Sequence, residues 1–394
     1  MTRVRDAWAA LRGGTAVAIT FVVNGVVFAS LLPRLPQIKE QLGLGNAAFG
    51  LALLGAGVGG LVGSVLAPRV LERAPRARTV AIAGVLLAAA GLGPPVVAAA
   101  PPSTVAPVLL LGATLFAIGL LDAVHDVSMN VVALAMQRER GASIMGRLHA
   151  TWSAGAVVAG AAGAFAAARG VPVEVHITAA VAVAAAAQVF AARNLPDPTR
   201  APDTAPTSRR RLVGIWLTMG VVAIAAGLSE GPSLEWSAIY LREGLGAGPG
   251  VAGAAPVCFT AAMLVSRLLV DRAIDRWGAA AVATAAGVLV AVGTVAGLWI
   301  SSATGWAPAA LLGFAVTGAG AAPVFPLMFV AGERLPAARN GAGAGAVSAM
   351  ARIGFLIASP VIGATSEVVG LAWALMITAV GGTMIALSLP PRLR

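Results

Sequence analysis

The chain has 394 residues, of which 58% are apolar and 11% are charged. Soluble domains are about half apolar and about a quarter charged, so this composition excludes a soluble globular enzyme. It also excludes intrinsic disorder, which needs low hydrophobicity, and a disulfide-stapled scaffold, because Cys258 is the only cysteine. The class that remains is a protein inserted in a lipid bilayer.

The net charge of +11 at pH 7 does not indicate nucleic-acid binding. Proteins that neutralise phosphates cluster their Lys and Arg residues, whereas the bases here occupy short connections between apolar segments. Membrane proteins set their topology by this distribution. We therefore expect the bilayer, and no nucleic acid, as a partner.

Twelve apolar stretches have the length of a membrane span, which needs about 20 residues. They are residues 14–33, 47–66, 79–99, 106–133, 149–169, 173–192, 212–241, 250–270, 279–300, 306–331, 341–363 and 367–389. Both termini and the loops after spans 2, 4, 6, 8 and 10 hold 22 of the 27 bases. The positive-inside rule then predicts an all-α membrane protein of twelve transmembrane helices with both termini cytoplasmic.

An internal repeat divides the chain. Residues 193–211 are rich in proline and charge and are typical of a linker. They separate an N-terminal six-helix half, residues 1–192, from a C-terminal six-helix half, residues 212–394. A shift of 203 residues places KEQLGLG at 39–45 on REGLGAG at 242–248. Two homologous halves indicate a transporter built from repeats.

With these features the sequence resembles the major facilitator superfamily over essentially its whole length. That family carries a charged cytoplasmic loop after spans 2 and 8, and residues 275–278 (DRWG) fit the core of its pattern. Residues 72–78 (ERAPRAR) keep the acid and the bases, with Pro75 where the family has glycine. The resemblance implies a transporter, not an enzyme, and no cofactor.

Four shorter stretches are similar to a bacterial inner-membrane subgroup near the fucose permeases. They lie at residues 24–39, 126–130 (DVSMN), 149–153 (HATWS) and 235–241 (EWSAIYL). The resemblance implies a multi-pass protein of the inner (cytoplasmic) membrane that moves a small-molecule solute.

The fourth span carries the densest group of polar residues at bilayer depth, where a charge costs roughly 2.5–3.5 kcal/mol. Spacings of three and four place Asp122, His125, Asp126 and Asn130 on one helical face. We expect this face to line a central cavity; the alternative is a buried structural cluster. Two carboxylates one turn apart do not both ionise cheaply, which predicts a proton-binding site in which His125 shares the proton.

The seventh and eleventh spans add charged candidates. Glu230 precedes Pro232, which kinks a helix, and Glu230 is a second proton-coupling candidate. Trp236 is either a substrate contact or part of an interfacial aromatic belt. Arg352 lies midway along its span and must face an anion, a cavity or carbonyls. Its expected partner is Glu230 or an anionic or hydroxylated substrate, with a structural ion pair as the alternative.

Neutral and aromatic side chains complete the predicted substrate contacts. They are Asn24, Asn130, Trp152 and Phe325. Interhelical hydrogen bonding explains Asn24 equally well, and the two aromatic residues have helix packing as their alternative. We expect ion pairs between the cytoplasmic loops of the two halves to hold a gate shut; the alternative is that these charges only determine the topology. The gating candidates are Glu72, Arg73, Arg76, Asp275 and Arg276.

Two further patterns are discounted. Gly55, Gly57 and Gly60 satisfy G-x-G-x-x-G, but they lie inside an apolar span with no preceding strand, so close helix packing explains them. Asp122, His125 and Asp126 have donor atoms that suit a divalent cation, but we expect no metal there.

The resulting hypothesis is a monomeric secondary active transporter. A small organic solute, sugar-like or another polar metabolite, crosses by alternating access coupled to protons through acids on helices 4 and 7. The alternative is proton-driven efflux of lipophilic compounds, although residues 153–160 lack the proline and glycine pair of the family's antiporter pattern. An intramembrane metal-dependent enzyme and a non-transporting sensor are the remaining hypotheses.

Overall fold

The structure is a computed structural model that describes residues 2–99, 106–140, 144–197, 209–333 and 342–393. Within these ranges it describes side chains except those of residues 2–11, 140, 209–218, 329–333 and 342–349. The predicted linker therefore lies largely outside the described residues. Apart from short connections, the described chain is helical.

The described helices of the predicted N-terminal half, called the N-half, are α1 (Thr2–Leu31), α2 (Leu35–Gln41), α3 (Asn46–Arg73), α4 (Arg76–Ala90), α5 (Gly93–Ala98), α6 (Ala106–Arg140), α7 (Met145–Ala168) and α8 (Val173–Ala192). Those of the predicted C-terminal half, the C-half, are α9 (Arg209–Glu235), α10 (Ser237–Ile239), α11 (Pro249–Trp277), α12 (Ala279–Thr304), α13 (Ala307–Ala321), α14 (Val324–Glu333), α15 (Ala342–Val369), α16 (Leu371–Ala374) and α17 (Ile377–Ser388). Short 3₁₀ turns cover Leu32–Arg34 and Pro390–Arg392, and a π turn covers Tyr240–Gly244.

Eleven helical segments of the described residues are long and apolar enough to cross a membrane. They overlap the predicted spans 1 to 6 and 8 to 12. The predicted seventh span corresponds to α9, whose first ten side chains lie outside the described set. That α9 crosses the membrane, and that both termini are cytoplasmic, stay predictions.

The first span is longer than predicted. We expected a loop to follow residue 33, but helical turns continue through Pro33 and Pro36 to Gln41. Each proline occupies one of the first two positions of a new turn, where its missing N–H is not needed. Arg34, expected in a loop, is fully buried and donates to the carbonyl of Val171.

Glycines bring the helices together without side chains between them. At Gly55 and Gly59 of α3, a Cβ would lie 2.1 Å from the carbonyl oxygens of Gly112 and Phe116 on α6. A Cβ at Gly57 would similarly meet Leu356 of α15 at 2.6 Å. The pattern that imitates a dinucleotide-binding loop thus lies at helix contacts, the packing role expected of it.

The halves meet along α3 against α15 and α7 against α11. They are also joined at one end of the bundle, called here the closed end, where α2 ends and α3 begins. There Lys39 Nζ lies 2.6 Å from Glu243 Oε1, and Arg242 Nη2 lies 3.8 Å from Glu40 Oε2. Because residues 39 and 40 align with 242 and 243 in the repeat, the two ion pairs exchange places when the halves are exchanged.

The closed end has a third connection between the halves. Glu367 of α15 accepts a hydrogen bond from the backbone N–H of Ala47 at 3.0 Å. Ala47 lies in the first turn of α3, whose exposed N–H groups favour a carboxylate. A side chain of the C-half therefore caps a helix of the N-half.

The predicted gating residues lie at the opposite end, where α3 and α11 end. The backbone N–H of Arg76 donates to Asp197 Oδ1 at 3.0 Å, which ties the start of α4 to the segment after α8. The Arg276 guanidinium lies 5.8 Å from the centre of the Trp277 ring. Neither contact joins the N-half to the C-half, so a gate at this end remains a prediction.

Candidate functional site

A cavity of about 330 Å³ lies between the halves and is lined by side chains from both of them. Four helices of the N-half (α1, α3, α6 and α7) and four of the C-half (α9, α11, α14 and α15) contribute to its wall. Its polar and charged lining residues are Asn24, Asp122, Asp126, His149, Trp152, Glu230, Glu235, Arg267 and Arg352. Its aromatic lining residues besides Trp152 are Phe28, Phe325 and Phe355.

Asn24 organises the N-half side of the cavity. Its side-chain nitrogen donates to Asp122 Oδ1 at 2.9 Å and lies 3.1 Å from His125 Nδ1. Its oxygen accepts the indole N–H of Trp152 at 2.7 Å. The amide thus uses both donors and its acceptor on three predicted site residues, and it fixes their orientation.

Asp126 carries the ion pair that crosses the cavity. Its Oδ2 lies 3.8 Å from Arg352 Nη2, and its Oδ1 accepts a hydrogen bond from Asn130 at 2.9 Å. We expected Glu230 or a substrate as the partner of Arg352; the structure places Asp126 there. Gly60 makes room for this arrangement, because a Cβ at that position would lie 2.8 Å from Arg352 Nη1.

Besides Glu235, the charged cavity residue that was not predicted as a site residue is Arg267. It was counted with the loop after span 8, but it lies within α11 and lines the cavity. Its Nη1 donates to Ser153 Oγ across the halves at 2.9 Å, and its guanidinium interacts electrostatically with Glu230 and His149. The available signal was that residue 267 falls inside the predicted span 250–270, where a permanent cation needs a partner.

Glu235 lines the cavity, while its neighbour Trp236 does not. Ser359 of α15 donates to Glu235 Oε2, and the Trp236 indole N–H donates to Ser359 Oγ at 3.1 Å. Trp236 is fully buried and meets Phe49 of α3 edge to face, with ring centres 5.9 Å apart. Trp236 therefore belongs to a packed contact between the halves. It is neither a ligand contact nor part of a lipid-facing belt, the two roles expected from the sequence.

The remaining predicted residues divide between the cavity and the surrounding helices. Trp152, Phe325 and Arg352 line the cavity, as do Asp122, Asp126, Asn24 and Glu230. Asn130 lies behind Asp126 and reaches the cavity through that carboxylate. His125 is fully buried and packs against Gly84 of α4, and it does not line the cavity as expected. Among the described contacts, the amide of Asn24 links His125 to the cavity.

The described residues give no support to a metal site. Among them, no group of three or more His, Cys, Asp and Glu side chains is arranged to hold a metal ion. His125 Nδ1 and Asp122 Oδ1, two of the donors suggested by the spacing, both face the amide of Asn24.

A helical bundle of membrane spans with buried charges facing a cavity between two sets of helices defines the class of multi-pass membrane transporters. The sequence profile of the Major Facilitator Superfamily matches residues 17–229. An uncharacterized transporter, y4wD of Sinorhizobium fredii, is 31% identical over 324 residues, covering 79% of this chain and 80% of the relative. The chain belongs to the major facilitator superfamily.

Solved structures of transporters share the fold. A D-xylose-proton symporter superposes with a TM-score of 0.75 at 14% identity, covering 96% of each chain. The nucleoside transporter NupG superposes with a TM-score of 0.70 at 14% identity, covering 98% of this chain and 99% of the other. At this level of identity the likeness concerns the fold alone.

Proposed function

We propose that this protein is a secondary active transporter that moves a small polar organic solute across the cytoplasmic membrane, coupled to protons. The observation that carries the proposal is the ion pair between Asp126 of the N-half and Arg352 of the C-half, with Asp122 beside it in the cavity. A proton that neutralises Asp126 weakens this link between the halves, because the guanidinium then faces a neutral group. Proton binding thereby changes the relative free energies of the two orientations of the halves.

Each half supplies an acidic site for the proton. In the N-half, Asp122 and Asp126 share one face of α6, and His125 joins them through Asn24. In the C-half, Glu230 lies two residues before Pro232 within α9 and interacts electrostatically with Arg267. A membrane potential of about 100–150 mV supplies roughly 2.3–3.5 kcal/mol per charge moved. That free energy sustains a solute gradient on the order of a hundredfold.

The solute contacts in this proposal are Asn24, Trp152, Phe325 and Arg352, which line the cavity from both halves. Sugar and nucleoside transporters among the fold's structural neighbours are consistent with a polar solute of similar size. With both termini cytoplasmic, the closed end faces outward, and in this proposal the solute enters the cavity from the cytoplasmic side. Transport then proceeds by opening the closed end in a monomer.

The test is proton uptake by proteoliposomes on addition of pooled candidate solutes at pH 6–8. Asp122→Asn and Asp126→Asn are compared with wild type, and Glu139→Gln, an exposed acid near the end of α6, is the charge-matched control. We expect the flux to vanish in at least one of the two cavity variants and to persist in the control. Solute flux without proton movement, or equal flux in all variants, contradicts the proposal.

Efflux of a lipophilic compound is the second candidate, favoured by the aromatic lining of the cavity. Phe28 and Trp152 face each other there with ring centres 6.5 Å apart. Reversing the pH gradient across the same proteoliposomes separates the two directions. Symport drives solute toward the side to which protons flow, whereas antiport drives it the opposite way.

A further inference from the structure

The charges that line the cavity do not balance. The described lining residues include four carboxylates, those of Asp122, Asp126, Glu230 and Glu235. They include two guanidinium groups, those of Arg267 and Arg352. The ionised lining therefore carries two more negative than positive charges within the membrane-spanning helices, where unpaired charges are costly.

Both guanidinium groups already have carboxylate partners. Arg352 forms the ion pair with Asp126, and Arg267 interacts electrostatically with Glu230. An anionic solute would have to displace one of these carboxylates and would add to the negative charge of the cavity.

The other two carboxylates have neutral hydrogen-bond donors. The Asn24 amide donates to Asp122, and the Ser359 hydroxyl donates to Glu235. Asp122 feels the positive charge of Arg352 more strongly than the negative charge of Asp126, whereas the partner of Glu235 is the neutral hydroxyl of Ser359. An added cation therefore experiences less electrostatic repulsion beside Glu235 than beside Asp122.

We infer that the transported solute is an organic cation whose ammonium group pairs with the carboxylate of Glu235, while a proton occupies the Asp122 and Asp126 pair. The inference rests on the proposed transport function and specifies the class of its substrate. Two positive charges, one from the solute and one from the proton, then balance the lining. The rings of Phe28, Trp152 and Phe355 suit this class of ligand, because aromatic faces attract cations.

The test measures thermal stabilisation of the purified protein by matched compounds in which an amine is replaced by a hydroxyl group. The probes are 2-phenylethylamine and 2-phenylethanol, glucosamine and glucose, and putrescine and 1,4-butanediol. We expect at least one amine to stabilise the protein and its neutral partner to bind at least tenfold more weakly. Stabilisation by a neutral member as strong as by its amine, or by no amine at all, overturns the inference.

A variant series assigns the effect to the predicted carboxylate. Glu235→Gln keeps the size of the side chain and should weaken binding of the amine at least tenfold, whereas Glu235→Asp should retain part of it. Glu139→Gln removes the same charge outside the cavity and should bind like wild type. An unchanged affinity in a folded Glu235→Gln protein overturns the assignment.

The failure of this inference is distinct from the failure of the proposed function. Proton flux driven by neutral solutes alone leaves the transporter proposal standing and refutes the cationic substrate. Binding of an amine with no accompanying flux refutes transport while retaining the ligand class.

Discussion

Asn24 is the residue on which the geometry of the N-half site depends. It is almost fully buried, and its amide joins α1 to both α6 and α7 through Asp122, His125 and Trp152. Removing one member of a buried hydrogen-bonded set costs about 1–3 kcal/mol, because its former partners stay desolvated. The amide therefore contributes to stability and to the position of the proposed proton site.

We predict that Asn24→Leu lowers stability by about 1–3 kcal/mol and reduces transport at least tenfold. The leucine has a similar size but leaves Asp122 and the Trp152 indole without their partner. Thr20→Val is the matched control: Thr20 is buried in the same helix, but its hydroxyl bonds to the Ala16 carbonyl of its own helix. Thermal unfolding in detergent and proteoliposome flux are the measurements, and equal effects of the two substitutions would contradict the prediction.

Residue spacing predicted part of the site. The i, i+3 and i+4 pattern placed Asp122 and Asp126 on one face of a helix, and the structure places both at the cavity. It did not predict which residues on other helices they contact, because Arg352 and Asn24 meet them only through the packing of distant spans. Arg267 was missed because a charge near the end of a predicted span looks like a loop residue.

Among the elements, the crossing of α3 and α6 depends on glycine. Gly55 and Gly59 lie one turn apart, and each faces a backbone carbonyl of α6 too closely for a side chain. Such close approach favours packing and weak hydrogen bonds where no hydrophobic effect operates between helices. The crossing also positions α6, which carries both aspartates of the cavity.

We predict that Gly59→Ala destabilises the protein by about 1–3 kcal/mol, because its Cβ would lie 2.1 Å from the Phe116 carbonyl and the helices must separate. Gly146→Ala is the control, since a Cβ in that helical position meets no atom within 4 Å. Differential scanning fluorimetry in detergent measures both. A Gly59→Ala protein as stable as the control would show that the helices separate at no cost.

The lengths of apolar segments predicted most elements, since a bilayer requires a minimum span. They did not predict how elements end. Proline and arginine at 33–36 looked like a loop, yet the chain continues as helix because each proline lies within the first two positions of a new turn. The end of α9 differs in a related way: the predicted span 212–241 is interrupted at Trp236, and a π turn follows from Tyr240.

For the whole molecule, residues at equivalent positions of the internal repeat form the ion pairs that join the halves at the closed end. The sequence shift of 203 aligns Lys39 and Glu40 with Arg242 and Glu243, and each base pairs with the acid of the other half. The Lys39 side chain is only 8% exposed, which makes its pair with Glu243 the better shielded of the two. Opening the closed end requires both pairs to separate.

We predict that Lys39→Glu increases at least tenfold the population in which the halves are separated at the closed end, a change of about 1.4 kcal/mol. The reason is that the introduced acid then faces Glu243 and the two carboxylates repel each other. The double variant Lys39→Glu with Glu243→Lys should restore the wild-type population. Spin labels on cysteines at Gln41 and Gly248, in a Cys258→Ala background, report the separation of the halves there. Gln41 is exposed, and a Cβ at Gly248 meets no atom within 4 Å.

Two outcomes would contradict this prediction. Unchanged distances in Lys39→Glu would mean that packing alone holds the closed end together. Distances that stay long in the double variant would mean that the effect of the single substitution is not the repulsion of two acids.

The ion pair at Lys39 also provides a chemical reporter. Lys39 is the only lysine of the chain, so the sole other amine is the α-amino group. While its ammonium group is paired with Glu243 and shielded, an acylating reagent reaches it slowly, because acylation needs the free, accessible amine. A membrane-impermeant reagent applied from the side of the closed end therefore modifies Lys39 at a rate that follows the opening of that end, and a Lys39→Arg protein gives the background from the α-amine. Opening of the closed end can then be followed by mass spectrometry at one nitrogen, without an introduced label.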